Sequence, residues 1–179
     1  MRIISGEHKG RKIIAPKKLP VRPTTDMAKE SLFNIINNYY YFEDISVLDL
    51  FSGTGNISYE FASRGTQLIT AVDSHYGCVR FIDETSNKLK MPIRVIKDDV
   101  FKFLQTSKQT YDIIFADPPY DFDLEIFSSI TDLVFSNTLL NKQGLLILEH
   151  SKYTDLSNLN YFMSSKSYGS SVFSFFEKN

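Results

Sequence analysis

The sequence predicts an α/β protein built on a parallel sheet, because short apolar runs alternate with helical patterns along the chain. Each of the first four runs carries an acidic residue near or just after its end. Glycines follow the first run, and prolines follow the fourth. Parallel strands end on one edge of the sheet, where α/β proteins bind ligands. We expect strands at about 46–51, 68–73, 93–97, 111–116 and 144–149, with two more near 161–168 and 171–177.

Length and composition indicate one enzyme-sized domain, since 179 residues with 42% hydrophobic and 14% aromatic content can bury a full core. The single cysteine, Cys78, cannot form an intrachain disulfide and suggests a reducing compartment. His8, His75 and His150 are scattered, so no metal site is expected. The sequence has no 18-residue apolar span and no leader pattern, so we expect a cytoplasmic protein without membrane contact.

The most informative motif is the sequence Asp117-Pro118-Pro119-Tyr120, which ends the apolar run 111–116. Each proline fixes its own φ, lacks an N–H and biases the preceding residue away from helix. The carbonyls of this turn are therefore held rigid beside one carboxylate and one aromatic ring. Fixed acceptors next to a stacking ring suit a planar amine such as the exocyclic NH₂ of a nucleobase. The alternative is a proline-terminated strand with a surface tyrosine.

A glycine turn lies between the first strand and the next helix. Asp49 lies in this strand, Gly53 and Gly55 follow it, and a helical pattern comes next. Glycines allow a ligand to approach the backbone closely, and a helix start presents free N–H groups. Asp73 ends the second strand, 24 residues after Asp49, at a spacing suited to a ribose-binding acid.

The pattern of acids and glycines favours a nucleoside without phosphate. Ser58 occupies the position of the third glycine of a dinucleotide fingerprint, and no Lys-Ser or Lys-Thr follows the glycines. Acids at the strand ends suit a cationic ligand, and S-adenosylmethionine meets this requirement. Asp99 ends the third strand, where it could bind the adenine amino group with Val100 and Phe101 against the ring. A helix N-cap is the alternative role for Asp99, and the two roles are compatible.

The N-terminal segment is strongly basic, because residues 1–22 sum to +6 and the remaining chain sums to −7. Two short β-like runs, 2–4 and 12–14, indicate an ordered hairpin. Such a charge block beside a globular body is typical of phosphate contact, although a solvated tail is the alternative. We expect a basic arm over 1–22 and a second domain over 23–179. The expected RNA contacts are Arg2, Lys9, Arg11, Lys12 and Arg22.

A long amphipathic helix should follow, since apolar residues recur at helical spacing between Ala28 and Tyr39. Thr24 or Thr25 can cap it, and Asp26 complements the helix dipole. Most of this helix should face the core, with its N-terminus near the ligand.

Several spaced motifs together resemble the RsmD family. They are Met1-Arg-Ile-Ile-Ser-Gly6 with Lys9-Gly-Arg-Lys12, Arg22-Pro-Thr-Thr-Asp26 with Glu30-Ser-Leu-Phe-Asn34, Leu48-Asp-Leu-Phe-Ser-Gly-Thr-Gly55, Arg64-Gly65 and Asp117-Pro-Pro-Tyr120. Members of that family methylate the exocyclic N2 of a guanine in 16S ribosomal RNA with S-adenosylmethionine. The resemblance runs from residue 1 to about 150. The chain departs from it at Asn56-Ile-Ser-Tyr-Glu60, where small apolar residues are expected and Tyr59 could alter packing beside the cofactor.

The resemblance implies a Rossmann-like class I methyltransferase: a seven-stranded, mostly parallel sheet with helices on both faces, a C-terminal antiparallel hairpin and a small N-terminal basic hairpin. It implies S-adenosylhomocysteine as product and small-subunit ribosomal RNA as partner. The modest size of the basic arm suggests that bound ribosomal proteins supply part of the recognition surface. The implied catalytic residues are Asp117, Pro118, Pro119 and Tyr120. The implied cofactor residues are Thr25, Asp49, Phe51, Gly53, Gly55, Asp73, Ser74, Asp99, Val100 and Asp117.

Three other functions stay open at this point. The same acid-Pro-Pro-Tyr chemistry could act on adenine N6, although 179 residues leave little room for a DNA-recognition domain. A small-molecule methyltransferase would not need the basic arm. A catalytically silent RNA-binding assembly factor could retain the cofactor pocket, although an intact Asp117 argues against it.

Overall fold

The computed structural model describes residues 1–19, 24–119 and 123–178, and these residues form a seven-stranded sheet with five α-helices. The strands are β1 (Ser46–Leu50), β2 (Leu68–Asp73), β3 (Ile93–Lys97), β4 (Tyr111–Ala116), β5 (Leu140–Ser151), β6 (Phe162–Tyr168) and β7 (Ser171–Phe176). The helices are α1 (Asp26–Ile36), α2 (Asn56–Ser63), α3 (Tyr76–Leu89), α4 (Val100–Thr106) and α5 (Leu124–Ser136). No helix in this described part of the chain has both the length and the apolar content needed to span a bilayer.

The strand order is β3-β2-β1-β4-β5-β7-β6. Strands β1 to β5 are parallel, whereas β7 runs antiparallel to both β5 and β6. The expected mostly parallel sheet with a C-terminal antiparallel hairpin is therefore confirmed.

Both faces of the sheet are covered, as its apolar central strands require. Alternate residues of β1 point to opposite faces, so that Val47 joins one core cluster and Leu48 the other. The first cluster contains residues of α1, α2 and α3, and the second contains residues of α4 and α5. This arrangement confirms the expected helices on both faces.

Strand β5 is longer than the sequence predicts, because it begins at Leu140 instead of near 144 and continues to Ser151. Gln143 adopts a φ of 65°, and the chain before Gly144 resembles a turn in sequence. This left-handed residue is absorbed as an irregularity between β4 and β5, so the strand continues through it.

Helix α1 starts as expected and ends early. The Thr25 side chain accepts the Ala28 N–H at 3.2 Å, and Asp26 lies in the first turn. The helix ends at Ile36, one turn before the predicted end near Tyr39, whose side chain is exposed.

The ends of the parallel strands form one edge, and most of the predicted site residues lie along it. We call this edge the carboxyl rim and define it by the residues that follow β1, β2, β4 and β5, namely Phe51, Ser74, Asp117 and Lys152. The opposite edge, where these strands begin, is the amino edge.

The N-terminal segment forms the small hairpin that the sequence predicts. The Ile3 N–H donates to the Arg11 carbonyl at 3.0 Å, and the Gly10 N–H donates to the Ile3 carbonyl at 2.9 Å. The Ile13 N–H donates to the Met1 carbonyl at 3.0 Å. Ile3 and Ile13 are buried in the same core cluster as α1 and α2, so the hairpin is packed against the sheet domain.

A buried carboxylate fixes the hairpin to the helices. Glu60 of α2 is fully buried and accepts the backbone N–H groups of Ile4 at 2.9 Å and Ser5 at 3.0 Å. The Arg64 Nε lies 2.9 Å from this carboxylate and the Lys29 Nζ lies 3.3 Å from it. Burial lowers the pKa of Lys29, although the charge of Glu60 opposes this shift. A buried charge is tolerated when it is paired and hydrogen-bonded in this way.

Substitutions at two glycines of the hairpin can test how tightly the hairpin packs. Gly6 has a φ of +83°, and a Cβ there would overlap the Ser63 carbonyl that accepts the Glu7 N–H at 2.7 Å. Gly10 has a φ of +81°, and a Cβ there would meet no atom within 4 Å. We expect Gly6→Ala to lower the free energy of unfolding by about 3 kcal/mol, because steric overlap adds to backbone strain.

The matched control is Gly10→Ala, which retains only the backbone strain and should cost about 1 kcal/mol. Urea unfolding of both variants measures the difference. Equal losses would mean that the hairpin turn does not pack against the end of α2.

Candidate active site

A cavity of about 510 Å³ opens at the carboxyl rim between the ends of β1, β2 and β4. Eight predicted site residues line this cavity: Asp49, Phe51, Gly53, Asp73, Ser74, Asp117, Pro118 and Pro119. The cavity therefore brings the two predicted halves of the site together, the glycine turn with its acids and the Asp-Pro-Pro turn.

The glycine turn after β1 is left-handed at three positions, with φ values of 54° at Phe51, 53° at Gly53 and 82° at Gly55. A Cβ on Gly55 would lie 3.0 Å from both the Tyr59 ring and the Ile82 side chain. Residue 55 must therefore be glycine both for its conformation and for its space. The turn leads directly into α2, whose first N–H groups have no partner within the helix.

Asp73 ties this turn to the end of β2. Its Oδ2 accepts the Gly53 N–H at 2.8 Å, and its Oδ1 accepts the His75 N–H at 2.8 Å. Each carboxylate oxygen can accept a second hydrogen bond. Asp73 also lines the cavity, so the predicted ribose contact is compatible with these two bonds.

Asp49 is the buried acid of the cavity, with 2% of its surface exposed. Its Oδ2 accepts the Ser58 N–H at 3.1 Å and the Ser58 hydroxyl at 2.5 Å. Burial raises the pKa of Asp49 to about 7, against the opposing effect of the Ser58 hydrogen bonds. The negative charge of Asp73 adds a smaller upward shift. A cation in the cavity would favour the ionised form of Asp49.

The turn after β4 forms the opposite wall. The Asp117 N–H donates to the Leu50 carbonyl at 3.5 Å, which joins this turn to the end of β1. Pro118 is buried and Pro119 is exposed. Tyr120 lies outside the described residues, so its stacking role stays a prediction.

The third strand end lies beside the cavity wall. The Asp99 carboxylate accepts the Lys102 N–H at 3.0 Å, which is the helix-cap role that the sequence allows. Val100 is buried in the first turn of α4, and the Phe101 ring meets the Phe51 ring edge-on at a centroid distance of 6.3 Å. Phe51 lines the cavity, whereas Asp99 and Val100 are not among its lining residues. Their adenine contacts stay predictions.

The start of α1 places Thr24 at the cavity in place of Thr25. The Thr24 hydroxyl donates to Glu149 Oε2 at 3.1 Å, and its carbonyl accepts the Asn56 side-chain N–H at 3.3 Å. Asn56 also lines the cavity, and its Oδ1 accepts Lys29 Nζ at 2.8 Å.

Eight lining residues are not among the residues predicted from the sequence: Thr24, Ser52, Thr54, Asn56, Ile57, His75, Cys78 and Phe115. Most of them are next to predicted residues in sequence, and that adjacency was the available signal. Burial raises the pKa of Cys78 to about 11, so its thiol is protonated at neutral pH and is a poor nucleophile.

A basic groove adjoins the cavity and shares Thr54 with it. The groove has a volume of about 870 Å³, and Arg2, Lys12 and Lys17 lie along it. Ile14 also lines it and is 87% exposed.

The other predicted RNA contacts lie elsewhere. Lys9 and Arg11 are exposed on the hairpin and do not line the groove. Arg22 lies outside the described residues. The RNA contacts of Lys9, Arg11 and Arg22 stay predictions.

Comparison with known proteins agrees with this geometry. A family model described as "Conserved hypothetical protein 95" matches residues 1–177. Ribosomal RNA small subunit methyltransferase D of Buchnera aphidicola subsp. Baizongia pistaciae is 31% identical over 150 residues, which cover 83% of this chain and 75% of that protein. The protein of the same name from Escherichia coli strain K12 is 29% identical over 150 residues, covering 83% and 74%.

A solved structure of a hypothetical protein from Thermus thermophilus has a TM-score of 0.86 and 25% identity, and it covers 99% of both chains. The match of fold is therefore complete from the hairpin to the last strand. The chain belongs to the family described as conserved hypothetical protein 95, which confirms the resemblance to the RsmD family.

Proposed function

We propose that this protein transfers a methyl group from S-adenosylmethionine to the exocyclic N2 of a guanine in small-subunit ribosomal RNA. The observation that carries the proposal is the cavity at the carboxyl rim, which unites the glycine turn, Asp49 and Asp73 with the Asp117-Pro118-Pro119 turn. The names of the related methyltransferases support the reaction and the RNA substrate. The choice of guanine N2 rests on the family resemblance.

The residues at the cavity fit S-adenosylmethionine, whose sulfonium supplies an electrophilic methyl group. Asp49 and Asp73 provide negative charge, and the described residues of the cavity wall include no lysine or arginine to hold a phosphate. Asp73 would accept hydrogen bonds from the ribose hydroxyls, with Ser74 beside it. Asp49 would face the positively charged part of the cofactor. Asp99 and Val100, next to Phe51 and Phe101, would form one side of the adenine site.

Asp117 and the Pro118 carbonyl would hold the target amine. A guanine N2 lone pair is delocalised into the ring, so this nitrogen is a weak nucleophile. Two hydrogen bonds from its N–H groups would orient it toward the methyl group and stabilise the positive charge that develops. Asp117 or water would then take the proton. The base must leave its stack to reach this turn, which costs a few kcal/mol and favours a loop or flipped nucleotide. Tyr120 would stack on that base.

The basic arm over residues 1–22 would bind RNA phosphates while residues 23–179 hold the cofactor. Arg2, Lys12 and Lys17 line the groove that adjoins the cavity, which supports this division. Bound ribosomal proteins would complete the recognition surface on an assembled subunit. The protein would act in the cytoplasm, where it meets its RNA.

The decisive experiment is transfer of tritiated methyl from S-adenosylmethionine to small subunits from a strain that lacks this protein, followed by nucleoside analysis. We expect label in N2-methylguanosine. Label on adenine would keep the amine chemistry but replace the substrate base. No label, with the cofactor bound, would favour a silent RNA-binding assembly factor.

The role of Asp117 is tested by Asp117→Asn, which keeps the size of the side chain and removes its charge. We expect kcat to fall at least about 100-fold, because the amide stabilises the developing positive charge poorly. The affinity for S-adenosylmethionine, measured by calorimetry, should change less than about threefold. An equal loss of affinity and rate would assign Asp117 to cofactor binding alone.

The pKa of Asp49 predicts a pH-dependent cofactor affinity. Because the free protein has Asp49 partly protonated near pH 7, a cationic ligand must favour loss of that proton. We expect the dissociation constant for S-adenosylmethionine to decrease several-fold from pH 6 to pH 8. The constant for the uncharged sulfur of S-adenosylhomocysteine should change less.

The control is Asp49→Asn, in which the pH dependence of cofactor affinity should disappear. The free wild-type protein provides a second check. Because the folded-state pKa of Asp49 lies above the unfolded value of about 3.9, Asp49 contributes most to stability below pH 4. We expect the free energy of unfolding to lose this contribution as the pH rises through about 7. An unchanged pH profile in Asp49→Asn would contradict the assignment.

The basic groove is tested by the double variant Lys12→Ala with Lys17→Ala. We expect weaker RNA binding and a decrease of about 1.5 in the slope of log K against log salt, at roughly 0.7 to 0.9 per lost phosphate contact. The control variant replaces Lys108 and Lys142, which are exposed at the amino edge. Identical slopes for the two double variants would indicate that the arm is solvated and does not contact RNA phosphates.

A further inference from the structure

The turn after β5 presents an aromatic ring and a cation at the carboxyl rim. The Tyr153 side chain is 87% exposed, and the Lys152 Nζ lies 5.2 Å from the centroid of its ring. Neither residue lines the cavity or the basic groove. A single exposed ring is common on protein surfaces, so a functional role for Tyr153 depends on how its turn is held and on where the turn lies.

The turn that carries the ring is well supported. The Thr154 N–H donates to the Ser151 carbonyl at 3.0 Å, and the Tyr153 N–H donates to the Ser151 hydroxyl at 3.2 Å. His150 Nδ1 lies 2.9 Å from the same carbonyl, and Leu156 is buried just after the turn. The backbone is therefore ordered before any partner binds, which lowers the entropy lost on binding.

The location of the turn relates it to the target site. Strand β4 ends at Ala116, which is opposite Leu148, and β5 continues three residues further to Ser151. This continuation carries the turn about 10 Å beyond the end of β4. Glu149, within it, accepts the hydroxyl of the cavity residue Thr24. The turn therefore extends past the end of β4, next to the cavity.

The basic groove and the Lys152–Tyr153 turn lie at the ends of different strands. The groove contacts the cavity at Thr54, which follows β1, whereas the Lys152–Tyr153 turn follows β5. In the sheet, β4 lies between β1 and β5. An RNA strand that runs from Thr54 across the end of β4 toward β5 would meet the Lys152–Tyr153 turn.

We propose that Tyr153 stacks on a nucleotide flanking the target guanine, with Lys152 on the adjacent phosphate. This inference rests on the proposed function. When a base leaves its stack, its neighbours lose a stacking partner, and an aromatic side chain can replace it. Lys152 supplies the charge that single-stranded RNA requires and lies close enough for a cation–π contact with the ring. The partner is single-stranded RNA, and the contact is independent of base identity.

The kinetic test compares Tyr153→Ala with Tyr153→Phe on small subunits and on their extracted RNA. We expect Tyr153→Ala to raise the KM for RNA about 10-fold with kcat within twofold of wild type, and Tyr153→Phe to restore the KM. The matched control is Tyr41→Ala, because Tyr41 is 77% exposed but precedes β1 at the amino edge. Since both tyrosines are exposed, melting temperatures of all three variants should stay unchanged.

A spectroscopic test does not depend on activity. The sequence contains no tryptophan, so Tyr153→Trp introduces a single reporter. Single-stranded RNA should quench its fluorescence, whereas heparin, an anionic polymer without bases, should not. Quenching of equal strength by both polymers would overturn the stacking contact.

The outcomes separate this inference from the proposed function. If wild type transfers no methyl group to RNA, the proposed function fails. If wild type is active and Tyr153→Ala behaves like Tyr41→Ala, the inference alone fails. A KM increase on assembled subunits without one on extracted RNA would also overturn it, because the contact would then be to a protein.

Discussion

The structure depends on the buried carboxylate of Glu60. An ionised group without water is tolerated only when its oxygens are fully satisfied, and here four donors meet them. Two are backbone N–H groups of the hairpin, Ile4 and Ser5, and two are the side chains of Lys29 and Arg64. These donors come from the hairpin, α1 and the end of α2. Removal of one of these elements would therefore leave a buried charge in another element without its partner. The basic hairpin is therefore held against α1 and α2 by a shared buried contact.

The same contacts extend to the cavity. Lys29 donates to the Arg2 carbonyl at 2.7 Å and to Asn56, and Asn56 donates to the Thr24 carbonyl. Thr24 in turn donates to Glu149 at the end of β5. This continuous series of hydrogen bonds joins the surface proposed for RNA to the wall of the proposed cofactor site.

Sequence alone predicts the sheet and half of the cavity lining for a simple reason. The period of the apolar runs locates the strands, and parallel strands must end on one rim, so Asp49, Asp73 and Asp117 come together. The burial of Lys29 and Glu60 is not predictable this way, because their partners are distant in sequence and charged residues usually face water. The early start of β5 also escapes prediction, because a left-handed residue within a strand looks like a turn.

The bond between Thr24 and Glu149 spans 125 positions in the chain. The cavity wall near α1 is therefore complete only after β5 has been added beside β4. During synthesis, the ribosome would have to release the chain past Glu149 before this bond can form. Contacts of such long range also slow folding, because a large loop must close before they form. The α1 wall of the proposed ligand site would thus be fixed only late in the folding of the nascent protein.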